Sequence, residues 1–243
     1  MKTAPRSTPP SDLLAFGAHP DDIEFGCGGV VAAETQAGRK VHFVVCSQGE
    51  AATNGTPAKR MEEARQAAGL LGATIEFIHL GGDAHFEVST AHVLQIAAII
   101  RATRPRVVLA PTLVENQHPD HTKLGRMVRE AARLARYAGV KELLALPAHS
   151  VDQLLYFAVT SGAEPPAGRV LVDVSATKVM ATWKAAMDAH ATQRQTRDYS
   201  EMQLTRARLN GLEAGVAYAI ALWPNDDLVV DSLDSLRRSA RRF

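Results

Sequence analysis

Short apolar runs rich in β-branched residues alternate along this chain with longer stretches of helical periodicity, and that alternation restricts the fold more than any other feature. Strands separated by helices form βαβ units, whose strands lie parallel and whose helices cover the sheet. Strands are predicted at Leu13 to Ala18, Val41 to Cys46, Thr74 to Leu80, Arg106 to Ala110, Gln153 to Val159 and Arg169 to Val174. Helices are predicted from about Val30 to Ala37, after a Gly26-Cys27-Gly28-Gly29 turn, and at Ala58 to Leu71, Ala91 to Thr103, Ser175 to His190 and Ser200 to Gly215. Ser175 reads as an N-cap, and Gly38 and Gly72 read as helix stops. The expected class is α/β with a mostly parallel sheet.

Open sheets of this kind bind ligands beyond the carboxyl ends of their strands. Two polar segments come directly after such ends: Ala18-His19-Pro20-Asp21-Asp22 and His118-Pro119-Asp120-His121. Together they supply three histidines and three aspartates. Two imidazoles and a carboxylate form a catalytic zinc ligand set that leaves room for water, and the same set describes some iron(II) sites. Either segment by itself would read as a turn carrying a satisfied histidine; two at strand ends favour a metal site.

His19 and Asp22, first and fourth in their segment, can face one point as the chain turns from strand to helix, with Pro20 restricting the turn. Of His118 and His121 only one need bind. We take His121 as the third ligand and leave His118 beside the open position. Asp21 then points elsewhere and is placed to accept a proton from water. Asp120 is expected to hydrogen-bond His118 and fix its tautomer, or to cap a helix starting near Thr122. A charged His118 would stabilise an oxyanion or protonate a leaving amine. Metal-assisted hydrolysis is the leading expectation.

A length of 243 residues, 46% hydrophobic, allows a substantial core, and we read residues 1–11 as a flexible leader and 12–243 as one domain. Lys+Arg 27 against Asp+Glu 26 creates no global field for nucleic acid or anionic membrane, and no apolar run reaches a membrane span. Cys27 and Cys46 fit neither a zinc ribbon nor a disulfide framework, so a cytoplasmic location is expected. The glycine turn lacks both the G-x-G-x-x-G spacing and a P-loop lysine, which argues against nucleotide binding. A nucleotide-binding module without hydrolysis nevertheless stands as an alternative on this sheet type.

The paired metal motifs, together with Gly49-Glu50, Gly55-Thr56 and Arg60 with Glu63, resemble the LmbE-like or PIG-L family of metal-dependent N-deacetylases over essentially the whole chain. Within it, Ile23 to Gly29 and the pair His190 and Gln193 resemble deacetylases of bacillithiol biosynthesis, which act on N-acetylglucosaminyl malate. The resemblance implies a Rossmann-like three-layer sandwich, zinc (or Fe2+) on His19, Asp22 and His121, and Asp21 as general base. It further implies Arg60, Glu50 and Tyr199 as substrate-binding residues, an N-acetylated sugar as substrate, and a homo-oligomer of up to six chains. Glu115-Asn116-Gln117 and Gly81-Gly82-Asp83-Ala84-His85 depart from the family pattern, so the conjugated sugar, or another amide such as a thiol conjugate, stays open.

Overall fold

The computed structural model describes residues 10–115, 118–166, 168–195, 197–236 and 239–240. Apart from Pro10 and Ser11, the expected leader lies outside them, as do Asn116 and Gln117. Strands β1 (Leu13–Gly17), β2 (Val41–Val45), β3 (Thr74–Phe77), β4 (Val107–Pro111), β5 (Gln153–Phe157), β6 (Val170–Asp173) and β7 (Ala219–Pro224) form one seven-stranded sheet. Its order is β3-β2-β1-β4-β5-β7-β6. The first five strands pair in parallel, and β7 runs antiparallel to both β5 and β6.

Alternation along β1 shows how the layers form: Leu13 and Ala15 enter one core, Leu14 and Phe16 the other. Helices α1 (Asp22–Gln36), α2 (Pro57–Leu70), α5 (Thr177–Asp188) and α6 (Tyr199–Ala214) contribute to the first core. Helices α3 (Thr90–Thr103) and α4 (Pro119–Arg136) contribute to the second. The result is the expected α/β three-layer sandwich. From β1 the strand order runs outward to β2 and β3 on one side and to β4 and β5 on the other. A crevice therefore opens beyond the carboxyl ends of β1 and β4, the usual ligand position of an open sheet.

Three local expectations are corrected. The Gly26 to Gly29 stretch is no turn; it lies inside α1, which starts at Asp22 and kinks at Cys27 (φ −146°). Its glycines are required by close packing, since a Cβ on Gly26 would sit 2.3 Å from Phe157 and one on Gly28 2.7 Å from Trp183. Ser175 does not cap α5, whose N-cap is Ala176; its hydroxyl instead donates to Asp173 and to the Tyr218 carbonyl. Strand β7, unpredicted, completes the sheet by fitting between β5 and β6.

Candidate metal centre

The first polar segment leaves β1 and enters α1 within a few residues. Asp22 is turned back by its own backbone: Oδ2 accepts from the amides of Ala18 and His19 at 2.8 and 2.9 Å. Its Oδ1 then faces His121 Nε2 at 3.1 Å, across 99 positions of sequence. His121 arrives on the first turn of α4, where His118 is the N-cap and Pro119 the first helical residue. His19 Nδ1 lies 3.5 Å from Asp22 Oδ2. The two motifs thus converge, and the donor atoms of His19, Asp22 and His121 all lie within 4.8 Å of one another.

The other edge of His19 meets a second set of carboxylates. Its Nε2 is 3.1 Å from Asp83 Oδ1 and 3.6 Å from Asp120 Oδ2. His118 Nε2 is 3.4 Å from the same Asp83 oxygen. The expected hydrogen bond from His118 to Asp120 is therefore replaced: Asp83 faces His118, while Asp120 accepts from the Ala84 amide at 2.7 Å. Asp120 lies inside α4, not at its cap, because the helix starts three residues earlier than expected.

Asp83 is the residue that sequence reasoning noted only as a departure. It is carried by a loop with positive φ at Gly81 (104°), Gly82 (96°) and Ala84 (65°). Glu50 Oε2 accepts from the Asp83 amide at 3.1 Å, so Glu50 braces this loop although it is itself exposed. The tandem glycine before an acid was the available signal, since two glycines permit the left-handed path that turns Asp83 inward.

Asp21 stays outside the ligand cluster. Its backbone has φ 135°, a region non-glycine residues seldom occupy, and its Oδ2 accepts from Arg60 Nη2 at 3.1 Å. Behind it lie two buried acids and a buried imidazole. Glu63 accepts from the Thr192 amide and hydroxyl, and His190 Nε2 stands 3.5 Å from Glu24 Oε1. Gln193 donates to the Asn54 carbonyl at 3.1 Å, tying the 47–56 loop to the segment before α6. Tyr199 packs its ring 5.8 Å from Phe25, apart from the imidazole cluster.

Electrostatics separate these carboxyls. Burial raises Asp21 above the usual carboxylate range, with Arg60 opposing and Asp22 reinforcing the rise. Burial also opposes ionisation of Asp22 and Asp83, but neighbouring imidazoles win and hold both well below that range: His121 and His19 for Asp22, His118 and His19 for Asp83. His19 itself is raised, burial notwithstanding, chiefly by Asp22.

The residues present fit a divalent cation. His19 Nε2 and Asp83 Oδ1 face each other at 3.1 Å without the alignment of a hydrogen bond, and buried Asp120 Oδ1 has no hydrogen-bond partner among the described residues. Three imidazoles with centroids 4.2, 5.2 and 5.5 Å apart share one crevice with the carboxylates of Asp22, Asp83 and Asp120, an N/O donor set suited to zinc or iron(II).

A Rossmann-like α/β protein with a histidine–aspartate metal-type centre at its switch point is the class that this fold and site define. The sequence profile of the PIG-L family, described as GlcNAc-PI de-N-acetylase, matches residues 14–132. An uncharacterised deacetylase of Escherichia coli, YaiS, is 32% identical over 151 residues, covering 61% of this chain and 74% of that protein. The chain belongs to the PIG-L family.

Pseudomonas putida 4-oxalmesaconate hydratase is 30% identical over 147 residues, covering 56% of this chain and 57% of that protein. Thermococcus kodakarensis diacetylchitobiose deacetylase is 30% identical over 134 residues, covering 51% of this chain and 49% of that protein, so the matches span about half the length of these two relatives. The crystal structure of the conserved protein TT1542 from Thermus thermophilus superposes with a TM-score of 0.81 at 30% identity, covering 94% of this chain and 100% of that one.

Proposed function

We propose that the chain is a metal-dependent hydrolase removing the acetyl group from the nitrogen of an N-acetylglucosamine-type substrate. The observation that carries this reading is the division of labour among adjacent aspartates: Asp22 faces His19 and His121, while Asp21 turns away to Arg60. The family's description as a de-N-acetylase and the deacetylase names of two relatives support it.

His19, Asp22 and His121 would hold the metal, for which we propose zinc, with iron(II) fitting the same donors. When bound, a divalent ion supplies positive charge that polarises an amide carbonyl and acidifies water. Asp21, its carboxyl raised by burial, takes the proton from an attacking water. His118, one-third exposed and faced by Asp83, is positioned to donate to the oxyanion or to the departing amine. Arg60 and Glu50, with Tyr199 further off, would meet the sugar or a carboxylate on its aglycone.

The test is amine release from N-acetylglucosaminyl malate, diacetylchitobiose and N-acetylglucosamine by metal-stripped protein reconstituted with zinc or iron(II). Release that needs metal and is lost in Asp21→Asn supports the proposal. Metal binding without release from any of the three would sink it. The hydratase match motivates a second reading, in which the same base delivers water to the carbon–carbon double bond of an unsaturated polycarboxylate. Loss of diene absorbance without amine release would favour it.

A further inference from the structure

Behind Asp21 lies a buried acid that the proposed reaction does not use. Glu63, 2% exposed, sits about one turn of α2 beyond Arg60 and on the same helical face. A fully buried acid ordinarily has a cation beside it, yet Glu63 forms no ion pair among the described residues. Its hydrogen-bond partners both belong to Thr192: Oε1 accepts from the amide at 3.2 Å and Oε2 from the hydroxyl at 2.6 Å. Two bonds from one residue to both oxygens of a carboxyl group fix its orientation as well as satisfying it.

That orientation matters because little else sets the rotation of α2. Apart from Arg60 and Glu63, its buried positions are Ala64, Ala67 and Ala68, and methyl groups form ridges too low to lock a helix in a groove. Arg60, by contrast, has a narrow target. Its Nη2 donates to Asp21 Oδ2 and to the Pro20 carbonyl, and its Nη1 stands 4.0 Å from Asp83 Oδ2. Gly49 packs so closely on the guanidinium that a Cβ there would lie 2.2 Å from Nη1. A rotation of α2 therefore carries the guanidinium off Asp21 or into Gly49. Thr192 is itself held: Gln193 Nε2 donates to its hydroxyl oxygen and to the Asn54 carbonyl, both at 3.1 Å. Two residues earlier, His190 Nε2 lies 3.5 Å from Oε1 of Glu24, on the first turn of α1. The 190–193 segment thus touches both helices that carry the Asp21–Arg60 pair.

We propose that Thr192 and Glu63 are positioning residues for the proposed reaction: Thr192, by fixing Glu63, sets the rotation of α2 that brings Arg60 onto Asp21. The segment between α5 and α6, more than 130 residues beyond Arg60 in sequence, thereby aims the base. The role rests on the deacetylase reading, in which Asp21 takes the proton.

Amine release and crystal structures of paired variants test this. Thr192→Val keeps the shape and removes the hydroxyl donor, Thr192→Ser keeps the donor, and each is compared with Arg60→Gln and with Thr192→Val combined with Arg60→Gln. Below its melting temperature and with unchanged metal stoichiometry, Thr192→Val is expected to lose roughly tenfold or more in kcat/KM, while Thr192→Ser stays within about twofold of wild type. The combined variant is no slower than Arg60→Gln, because residues that act through one contact do not add. In the crystal, Arg60 Nη2 leaves hydrogen-bond reach of Asp21 in Thr192→Val and keeps it in Thr192→Ser. An unchanged kcat/KM with a lowered melting temperature would reduce Thr192 to a structural role and overturn the proposal. Additive losses, or a guanidinium still seated on Asp21 in Thr192→Val, would do the same. A wild type that releases no amine sinks the deacetylase reading, and the position of Arg60 in Thr192→Val then decides whether Thr192 sets its aim.

Discussion

Arg60 Nη2 donates to Asp21 Oδ2 at 3.1 Å and to the Pro20 carbonyl at 2.9 Å, so one guanidinium fixes both the carboxyl and the strained backbone beside it. A buried Arg60 projecting from α2 thereby sets the aim of a residue on the β1–α1 turn.

Removing that fork has a directional consequence for pH. Burial raises Asp21 and the Arg60 cation partly offsets the rise, so Arg60→Gln lifts the carboxyl further. A general base works ionised, and the acidic limb of the pH–rate profile for amine release therefore moves to higher pH. Asp21→Asn, which abolishes the base, lowers kcat by roughly 10²–10⁴-fold at all pH values. A superimposable profile for Arg60→Gln would mean that the guanidinium does not act on Asp21.

Metal-free protein should lose stability as pH rises past neutrality. His19 is raised above its unfolded value of about 6.5 by Asp22, so its stabilising charge is fully present below about 6.5 and is lost as pH climbs through the higher folded value. Metal ligation requires the neutral ring, so binding tightens over the same interval and releases protons. Thermal unfolding of stripped and reloaded protein across neutral pH checks both signs: the melting temperature of the stripped form falls while that of the loaded form holds. A flat curve for stripped protein would contradict the charged assignment.

Much of this was legible because hydrophobic period and strand-end position are local signals. The strands from β1 to β6 and the convergence of His19, Asp22 and His121 follow from runs and spacings visible in the chain. What escaped depended on contacts distant in sequence. Gly26 to Gly29 look like a turn until Phe157 and Trp183 are seen against them, and helix propensity yields there to packing. Ala219–Pro224 follows a helix closely and lacks a flanking helix of its own, so nothing local marked it as the antiparallel strand. Asp83 takes its role from His19 and His118, neither of which is near it in sequence.

Two glycine substitutions should act in opposite directions. A Cβ at Gly26 would lie 2.3 Å from the fully buried Phe157 ring, and overpacking of this kind costs about 1–3 kcal/mol. Gly69, inside α2, has nothing within 4 Å of the added atom, so Gly69→Ala gains roughly 0.5–1 kcal/mol from helix propensity alone. Urea unfolding of both variants measures the difference. Equal effects would show that the α1 glycines are not held by close packing.

Arg101 offers the sharpest test of how α4 is held. Its guanidinium is buried and donates to the carbonyls of Leu134, Ala135, Tyr137, Leu143 and Leu146. Leu134 and Ala135 lie in the last turn of α4, where carbonyls lack helical partners and the dipole favours a cation. The arginine of α3 is thus the C-terminal cap of a neighbouring helix. Arg101→Met keeps the apolar stem but removes five charge-assisted hydrogen bonds; four of the carbonyls keep one backbone donor each, from Tyr137, His149, Val140 and Leu146, so the loss is roughly 3–5 kcal/mol and not the sum over five bonds. The 18 residues of α4 span about 27 Å, and His118 and His121 sit at its other end. Below its lowered melting temperature, Arg101→Met should therefore bind metal with unchanged stoichiometry. A variant that unfolds like wild type would remove the capping role, and one that is folded but has lost metal would show the two ends of α4 to be coupled.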